Sequence, residues 1–285
     1  MTLKTILVAA SGGTASDGAV ELACRLARKF EAHVEGLHIR VDPRAVVAIA
    51  ADGLGAPMVG GWIDQIAAES DELAKKTKEA FEAAAARNGL ARAGAGKASA
   101  SAAWREETGF APVQVASRGR FFDLVILGRS ERVIEQPHSD TIEETLIRSG
   151  RPVLLAPAKV PASFGESIAL GWNGSPEAVR ALTSSLSLLK SARKVRIITV
   201  SEEEKTGAAA AVEYLAWHGV LAVHRNTEPV EGVGPGEQLL ATARDEGADL
   251  LVMGGYGHGP WRELLFGGAT RRIVGTSLLP LMLSH

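Results

Sequence analysis

The residues of this chain best suited to bind an anion are glycines concentrated in the stretch Asp249–Thr270. Because glycine has no Cβ atom, its backbone can take positive φ angles and turn N–H groups toward a phosphate. The apolar run before these glycines is typical of a buried strand, and the amphipathic run after them is typical of a helix, whose N-terminus adds partial positive charge. The pattern predicts a phosphate-binding loop, with a tight turn that binds nothing as the alternative. The glycines are Gly254, Gly255, Gly257, Gly259, Gly267 and Gly268.

Other residue types that carry chemistry are sparse. His258 lies inside the glycine loop, where it would either approach a phosphate or be exposed to solvent. The other histidines show no metal-ligand spacing, and the single cysteine, Cys24, has no disulfide partner and is expected in the core. No Ser-His-Asp order or carboxylate pair can be assigned to one crevice. The sequence therefore predicts no catalytic residue and no metal site.

A second glycine loop lies near the start of the chain. Ser11–Ser16 reads SGGTAS, which resembles the SGGxDS pyrophosphate loop of the ATP pyrophosphatases, although Ala15 stands where that motif has Asp. A serine turn with a helix N-cap explains the same residues without a ligand. An ATP pyrophosphatase or slow nucleotide hydrolase is therefore kept as the enzymatic alternative.

The composition limits the class of protein. Of the 285 residues, 46% are hydrophobic and 22% are charged, which is typical of a globular protein. The net charge is −2 with both signs interspersed, which argues against a nucleic-acid partner. No apolar run approaches the ~20 residues of a membrane-spanning helix, and the first residues lack the pattern of a signal peptide. These features indicate a cytoplasmic protein without a membrane partner.

The elements that would position these loops occur twice. An apolar run, a turn and a helical pattern begin near Ile6 and again near Ile168, and the later run that follows Asp123 is matched by the run that follows Asp249. Each half reads as five buried strands alternating with four helices, the pattern of right-handed βαβ units. The sequence therefore predicts an α/β protein of two tandem, doubly wound, five-stranded parallel sheets, each in the strand order 3-2-1-4-5.

The predicted domain boundaries follow from this repeat. The first domain spans residues 1–158, and the second spans residues 165–285 after a short linker. The first domain carries an apolar, glycine-containing insertion around Val46–Val59. We expect this insertion to be a flap over a ligand crevice, a dimerisation element or a packed loop.

The spacing of the glycines is more specific than their number. Gly254-x2-Gly257-x9-Gly267 resembles the nucleotide-binding loop G-x2-G-x9-G-[S/T] of the universal stress protein family, and the internal repeat resembles a tandem member of that family. Here Gly268 replaces the final Ser/Thr. The hydroxyl ligand to a phosphate is therefore missing at that position, and Thr270 is the residue nearby that could supply one.

The resemblance implies the adenine-nucleotide-alpha-hydrolase-like fold and a stress-responsive binding module with an ATP site, with or without Mg²⁺, in the C-terminal domain. The family's usual Asp after the first strand is Asn173 here, which can still hydrogen-bond to a base or ribose, but without charge. No general base is evident, so any hydrolysis would be slow. A stress protein that binds no nucleotide and acts through protein contacts is the alternative. The implied nucleotide contacts are Gly171, Asn173, Val200, Met253, Gly254, Gly257, Gly267, Gly268, Ala269 and Thr270.

The first half lacks most of these implied nucleotide-binding residues. It keeps only Gly128 of the glycine series, and Glu131, Glu135 and Asp140 follow it. A carboxylate near a triphosphate is repulsive. We therefore expect this half to be a structural partner, or to bind something other than a nucleotide.

Three aromatic residues have two interpretations each. Trp172, beside Asn173, would either stack on an adenine or pack at the end of a strand. Tyr214 and Trp217 fall on one amphipathic helix and would lie either in the core or at an interface.

Each half ends in an apolar strand at a sheet edge, Pro152–Ala156 and Pro280–Ser284. An uncovered edge strand invites pairing with another strand. We therefore predict that the two edges pair within one chain to give an intramolecular pseudo-dimer. Further homodimerisation would use the insertion around Val46–Val59.

Overall fold

The computed structural model describes residues 2–42, 56–92, 100–129, 137–201, 207–255 and 279–285. The strands in these ranges are β1 (Thr5–Ala9), β2 (His33–Arg40), β3 (Ala91–Arg92), β4 (Ser101–Thr108), β5 (Leu124–Gly128), β6 (Val153–Ala156), β7 (Ser167–Gly171), β8 (Lys194–Val200), β9 (Ala222–Thr227), β10 (Leu250–Gly254) and β11 (Leu281–Ser284). The helices are α1 (Gly13–Phe30), α2 (Ala56–Arg87), α3 (Ala111–Gly119), α4 (Pro137–Arg148), α5 (Pro176–Ser184), α6 (Leu186–Ser191), α7 (Ala208–Trp217) and α8 (Pro235–Asp245).

The strands form one sheet in the order β3-β4-β2-β1-β5-β6-β11-β10-β7-β8-β9. The N-terminal half therefore contributes β4-β2-β1-β5-β6, and the C-terminal half contributes β9-β8-β7-β10-β11. In both halves the third main strand lies outermost and the first lies beside the fourth, which is the predicted order 3-2-1-4-5. Strands pair in parallel within each half. The predicted doubly wound α/β fold is confirmed, with the short β3 as an addition that the sequence pattern did not indicate.

Both faces of the sheet are buried. In β1, Ile6 and Val8 enter one hydrophobic cluster, while Leu7 enters another. Because successive side chains of a strand point to opposite faces, these two clusters cover the two faces of the sheet. Leu154 and Met282 come from different halves and belong to the same cluster. The hydrophobic core is therefore continuous across both halves.

The two halves join through β6 and β11, which pair antiparallel, with Leu154 opposite Met282 and Leu155 opposite Leu281. The prediction that the two edge strands pair within one chain is confirmed. Because the join is antiparallel and each half is parallel, all strands of one half run against those of the other. The carboxyl ends of the strands therefore lie at opposite edges of the sheet in the two halves.

The repeat extends to equivalent hydrogen bonds at the strand starts. The carboxylate of Asp123 accepts hydrogen bonds from the backbone N–H groups of Lys4 at 2.8 Å and Thr5 at 2.9 Å. The carboxylate of Asp249 accepts an equivalent bond from the backbone N–H of Glu166 at 3.0 Å. Each aspartate thus holds the start of the first strand of its half beside the fourth strand.

None of the helices in the described ranges is long and apolar enough to cross a membrane.

Candidate nucleotide site

Three strands of the C-terminal half end side by side at one edge of the sheet. Gly171 ends β7 and lies opposite Ile198 of β8. Gly254 ends β10, in which Val252 lies opposite Leu170 of β7. The winding of the sheet reverses between β7 and β10, and ligands of such sheets bind at the carboxyl ends of the strands at this point. The predicted contacts that the structure places at this edge are Gly171, Asn173, Val200, Met253 and Gly254.

Asn173 lies in the turn between β7 and α5. Its Oδ1 accepts a hydrogen bond from the backbone N–H of Ser175 at 3.1 Å, which fixes the orientation of the amide. The side chain of Ser175 in turn accepts from the backbone N–H of Ala178 at 3.2 Å, and Pro176 follows in the first turn of the helix. Ser175 is thus the N-cap of α5, and the turn holds the exposed Asn173 amide at the edge of the crevice.

Two of the predicted glycine contacts have a packing role. A Cβ atom at Gly254 would lie 2.7 Å from the carbonyl carbon of Glu177, in the first turn of α5. A Cβ atom at Gly171 would lie 2.6 Å from Cδ2 of Leu239 on α8. Neither distance is compatible with an ordinary contact, so both glycines let neighbouring helices approach the strands closely. For these two positions, packing explains the absence of a side chain without a ligand.

Met253 and Val200 can contribute to the crevice in different ways. The Met253 side chain is buried in the core beneath the edge, so only its backbone is suited to contact a nucleotide. Val200 ends β8 and is half-buried, and it packs against the same cluster. An apolar side chain in this position can contact one side of a flat base.

The predicted glycine loop leaves the sheet at this edge. The backbone N–H of Gly255 donates to the carbonyl oxygen of Ser284 at 2.8 Å, and Nδ1 of His285 lies 3.2 Å from the carbonyl oxygen of Gly255. These contacts fix the start of the loop beside the end of β11. The remaining predicted residues of the loop, which lie outside the described residues, are Gly257, His258, Gly267, Gly268, Ala269 and Thr270.

One carboxylate lies at the crevice. Burial acts to raise the pKa of Glu177, but hydrogen bonds from its own backbone amide and from Ser175, with the positive charges of Arg180 and His285, lower the pKa overall. Nη2 of Arg180 lies 2.7 Å from Oε1 of Glu177. The negative charge that Glu177 brings to the crevice is therefore partly balanced by its neighbours.

The serine N-cap predicted for the first glycine loop is wrong. Helix α1 begins at Gly13, and its N-cap is Gly12, which has a φ of 84° and provides no side-chain hydrogen bond. A Cβ atom at Gly12 would lie 2.7 Å from Cδ1 of Leu73 on α2. The turn needs a positive φ and a close helix contact, and Ser11 could supply neither. These two constraints explain Gly12 without a pyrophosphate ligand.

The structure shows whether the aromatic residues and the cysteine singled out in the sequence are buried or exposed. Trp172 is buried in the core, so its packing interpretation is confirmed. Trp217 is 83% exposed and Tyr214 is 37% exposed, so their core interpretation is wrong. Cys24 is buried as predicted, and burial raises the pKa of its thiol to about 12. In the part of the chain that the structure describes, no group of three His, Cys, Asp or Glu side chains is arranged to hold a metal ion.

The N-terminal half has a cavity of about 380 Å³ at the edge equivalent to the nucleotide crevice. Its lining includes His38, a buried residue near the end of β2. The local sequence pattern indicates no role for His38, because its hydrogen-bond partner, Ala10, lies 28 residues away along the chain. The one local signal was a polar residue within a run that otherwise reads as a buried strand.

Comparison with known proteins agrees with this architecture. The model of the universal stress protein family matches residues 166–285. The whole chain is also similar to a curated universal stress protein of Synechocystis sp., with 24% identity over 290 residues that cover 98% of this chain and 99% of the relative.

Solved structures share the fold along the full length of the chain. A universal stress protein from Archaeoglobus fulgidus has a TM-score of 0.70 at 17% identity, covering 98% of this chain and 95% of that one. A functionally unknown protein from Pseudomonas aeruginosa has a TM-score of 0.51 at 14% identity, covering 99% of this chain and 92% of that one. The chain is thus an α/β protein with two doubly wound halves. Its C-terminal half, residues 166–285, is matched by the model of the universal stress protein family.

Proposed function

We propose that this chain is a universal stress protein that binds an adenine nucleotide, ATP with or without Mg²⁺, in the crevice where β7 and β10 end. The observation that carries the proposal is the position of Gly254 and Gly255, which lead the predicted glycine loop out of the sheet at the point where the winding reverses. The chain acts as a ligand-responsive binding module. Any hydrolysis of bound ATP is expected to be slow.

The Asn173 amide is suited to contact the adenosine part of a nucleotide in this crevice. Its Oδ1 is held by the backbone N–H of Ser175, and no partner for its Nδ2 is found among the described residues. The amide NH₂ group can therefore donate a hydrogen bond to a base or ribose. The half-buried side chain of Val200 lies at the end of β8, the strand next to β7. Together these residues offer one polar and one apolar contact to a nucleoside.

The N-terminus of α5 supports the phosphate end. It lies against Gly254, and the unpaired backbone N–H groups of a first helical turn attract anions. Glu177 in the same turn opposes this attraction, but its ion pair with Arg180 reduces the opposition. The backbone N–H groups of the predicted loop residues Gly257 and Gly267 would complete the phosphate contacts.

Equilibrium binding of labelled ATP to the purified chain tests the proposal, together with a mass measurement of nucleotide retained through purification. We expect about one nucleotide per chain, because the glycine series occurs once. Asn173→Asp keeps the acceptor for Ser175 and should bind ATP as the parent does. Asn173→Leu removes the polar contact and should weaken binding about fivefold. Failure of the parent to bind ATP, or equal binding by both variants, would reject the proposed site.

Exposed apolar residues favour a second candidate function, action through protein contacts without a nucleotide. Trp217, at the end of α7, is 83% exposed, and the nearby Leu221 is 91% exposed. Large exposed apolar side chains that lie together are a feature of interaction surfaces. If this function is correct, the parent chain should bind no ATP. In addition, the double substitution of Trp217 and Leu221 by Ser should abolish an association that sedimentation detects for the parent.

A further inference from the structure

The cavity of the N-terminal half lies where a nucleotide would lie if this half had kept the glycine series. It opens at the carboxyl ends of β1, β2 and β5, and α3 and α4 close its sides. Its volume of about 380 Å³ falls within the range of small-molecule sites, about 300–1,000 Å³. The edge of the sheet that binds ligands in doubly wound folds thus carries a cavity of suitable size in this half as well.

The walls of this cavity are mostly apolar. Leu37, Val115 and Leu127 line it from strands and helix, and all three belong to the buried cluster on this face of the sheet. Ile39 and Ile142 pack against the same cluster and also line the cavity. An enclosure of branched aliphatic side chains favours a flat, apolar ligand that fills it by van der Waals contact.

His38 also belongs to the lining of the cavity, and its ring stacks on Trp104 on the face of β2 opposite to Leu37 and Ile39. The His38 side chain is 2% exposed, and Nδ1 lies 2.7 Å from the carbonyl oxygen of Ala10. Because a carbonyl oxygen only accepts hydrogen bonds, Nδ1 carries a proton, and Nε2 of the neutral ring keeps a lone pair. No partner for Nε2 is found among the residues that the structure describes. The lone pair of Nε2 can therefore accept a hydrogen bond from a donor that reaches it.

Charge around the cavity disfavours an anionic ligand. The described lining contains no lysine or arginine. A phosphate or carboxylate ligand would therefore lose its hydration without gaining a cation. These conditions differ from those in the C-terminal crevice, where Arg180 and His285 lie near Glu177.

We infer that this cavity is a second binding site, for an uncharged aromatic molecule of one or two rings that donates a hydrogen bond to Nε2 of His38. The apolar walls hold the rings, and the buried imidazole selects molecules that carry an N–H or O–H group. The site is separate from the proposed nucleotide crevice, and its occupancy does not depend on ATP binding.

Calorimetric titration of the full chain with three matched probes tests this site. Indole is bicyclic, neutral and carries one N–H donor, N-methylindole has the same rings without the donor, and indole carboxylate adds a negative charge. We expect indole to bind about fivefold to tenfold more tightly than N-methylindole, the size of one buried hydrogen bond. Indole carboxylate should bind more weakly than indole, and saturating ATP should leave indole binding unchanged.

Three variants locate the binding. His38→Leu should bind indole and N-methylindole equally, because the acceptor is lost while the apolar walls remain. Ile142→Trp should fill the cavity and weaken both probes at least about tenfold. Ile147→Trp is the matched control, since Ile147 lies on the same helix but is exposed and does not belong to the described lining. This control should bind both probes as the parent does.

Several results would overturn the inference: no binding of indole, equal affinity of the parent for indole and N-methylindole, tighter binding of the carboxylate, or equal weakening by Ile142→Trp and Ile147→Trp. If His38→Leu does not fold, the comparison of indole with N-methylindole on the parent and on Ile142→Trp still decides the question. A chain that binds indole but not ATP would reject the proposed nucleotide function and leave this site intact.

Discussion

Arg118 on α3 donates two hydrogen bonds to the carboxylate of Glu35 on β2, from Nε to Oε1 and from Nη2 to Oε2, each 2.7 Å long. Glu35 is buried, and its hydrogen bonds are the main cause of the raised pKa of Arg118. A bidentate pair between a helix and a strand fixes the orientation of the helix as well as its distance from the sheet. Since Val115 of α3 lines the N-terminal cavity, this ion pair holds one wall of it.

Arg118→Ala should lower the free energy of unfolding by about 2–3 kcal/mol, because it leaves the buried Glu35 carboxylate without a partner. Arg105→Ala is the matched control, since Arg105 pairs with Glu107 in an exposed position, and it should change stability by less than about 1 kcal/mol. Urea denaturation measures both. An equal effect of the two substitutions would show that the buried pair has no special role.

Glu21 on α1 should make stability depend on pH. Burial acts to raise its pKa, but hydrogen bonds from Arg25, Arg87 and Asn88 lower it below the ordinary value of 4.5. A carboxyl group with a lowered folded-state pKa stabilises the protein fully above its unfolded pKa, and this contribution is lost as the pH falls through the folded pKa. The stability advantage of the parent over Glu21→Gln should therefore be less than about 1 kcal/mol near neutral pH, because solvent screens the group, and should vanish in acid. Urea titrations across that range measure it, and an advantage that grows in acid would contradict the assignment.

Gly254→Ala should destabilise the chain by about 1–3 kcal/mol, because the added methyl group would collide with the backbone of Glu177 and push α5 away from β10. Gly61→Ala is the control, since Gly61 lies inside α2 and a Cβ atom there meets nothing within 4 Å, and it should not destabilise the chain. Thermal unfolding of both variants measures the difference. A neutral Gly254→Ala would mean that the helix does not approach the strand as closely as described.

Gly257→Val should weaken ATP binding at least about tenfold, because its branched side chain would occupy the space where backbone N–H groups meet the phosphates, and valine tolerates positive φ poorly. Ser11→Ala should leave ATP binding intact, since we assign no nucleotide to the N-terminal half. Binding isotherms with labelled ATP distinguish the two. If Gly257→Val binds like the parent while remaining folded, the loop does not hold the phosphates.

Leu154→Asp should destabilise the chain by more than about 3 kcal/mol, because it places an unpaired charge at the buried join opposite Met282. Val179→Asp, at an exposed apolar position, should have little effect. Chemical denaturation of the full chain measures both.

The two halves expressed separately should associate with each other, because each exposes an unpaired edge strand. Halves that stay folded and monomeric when mixed would contradict the edge pairing.

The fold could be predicted because each of its determinants is local and occurs twice. Asp123 and Asp249 mark equivalent strand starts in the sequence, and they make equivalent hydrogen bonds in the structure. The apolar runs that contain Leu154 and Met282 have no polar face, and a strand without a polar face must be covered on both sides. Each run is also the last strand of its half, and the pairing of the two edges satisfies the backbone N–H and C=O groups that an uncovered edge would leave unpaired.

The site could be predicted only in part, because the same residue type at a position can serve either ligand binding or packing. Phosphate binding and close helix packing both require a residue without a side chain, and only the distance from Gly254 to Glu177 reveals the packing demand. Ser11 is a residue type that often forms an N-cap, but the N-cap of α1 has a positive φ and is Gly12 instead. The contact between His38 and Ala10 joins separate strands, so no local pattern encodes it.

The antiparallel join of β6 and β11 also sets the geometry of any communication between ligands. Because the two halves run in opposite directions, the proposed nucleotide crevice and the cavity of the N-terminal half open toward opposite edges of the sheet. Two bound ligands therefore cannot touch or screen each other, and a macromolecule docked over one opening leaves the other accessible. The two halves are linked by the ladder of β6 and β11 and by the hydrophobic core that is continuous across it, and a slip of one residue in this ladder would turn every side chain to the wrong face. The join therefore resists sliding of one half along the other.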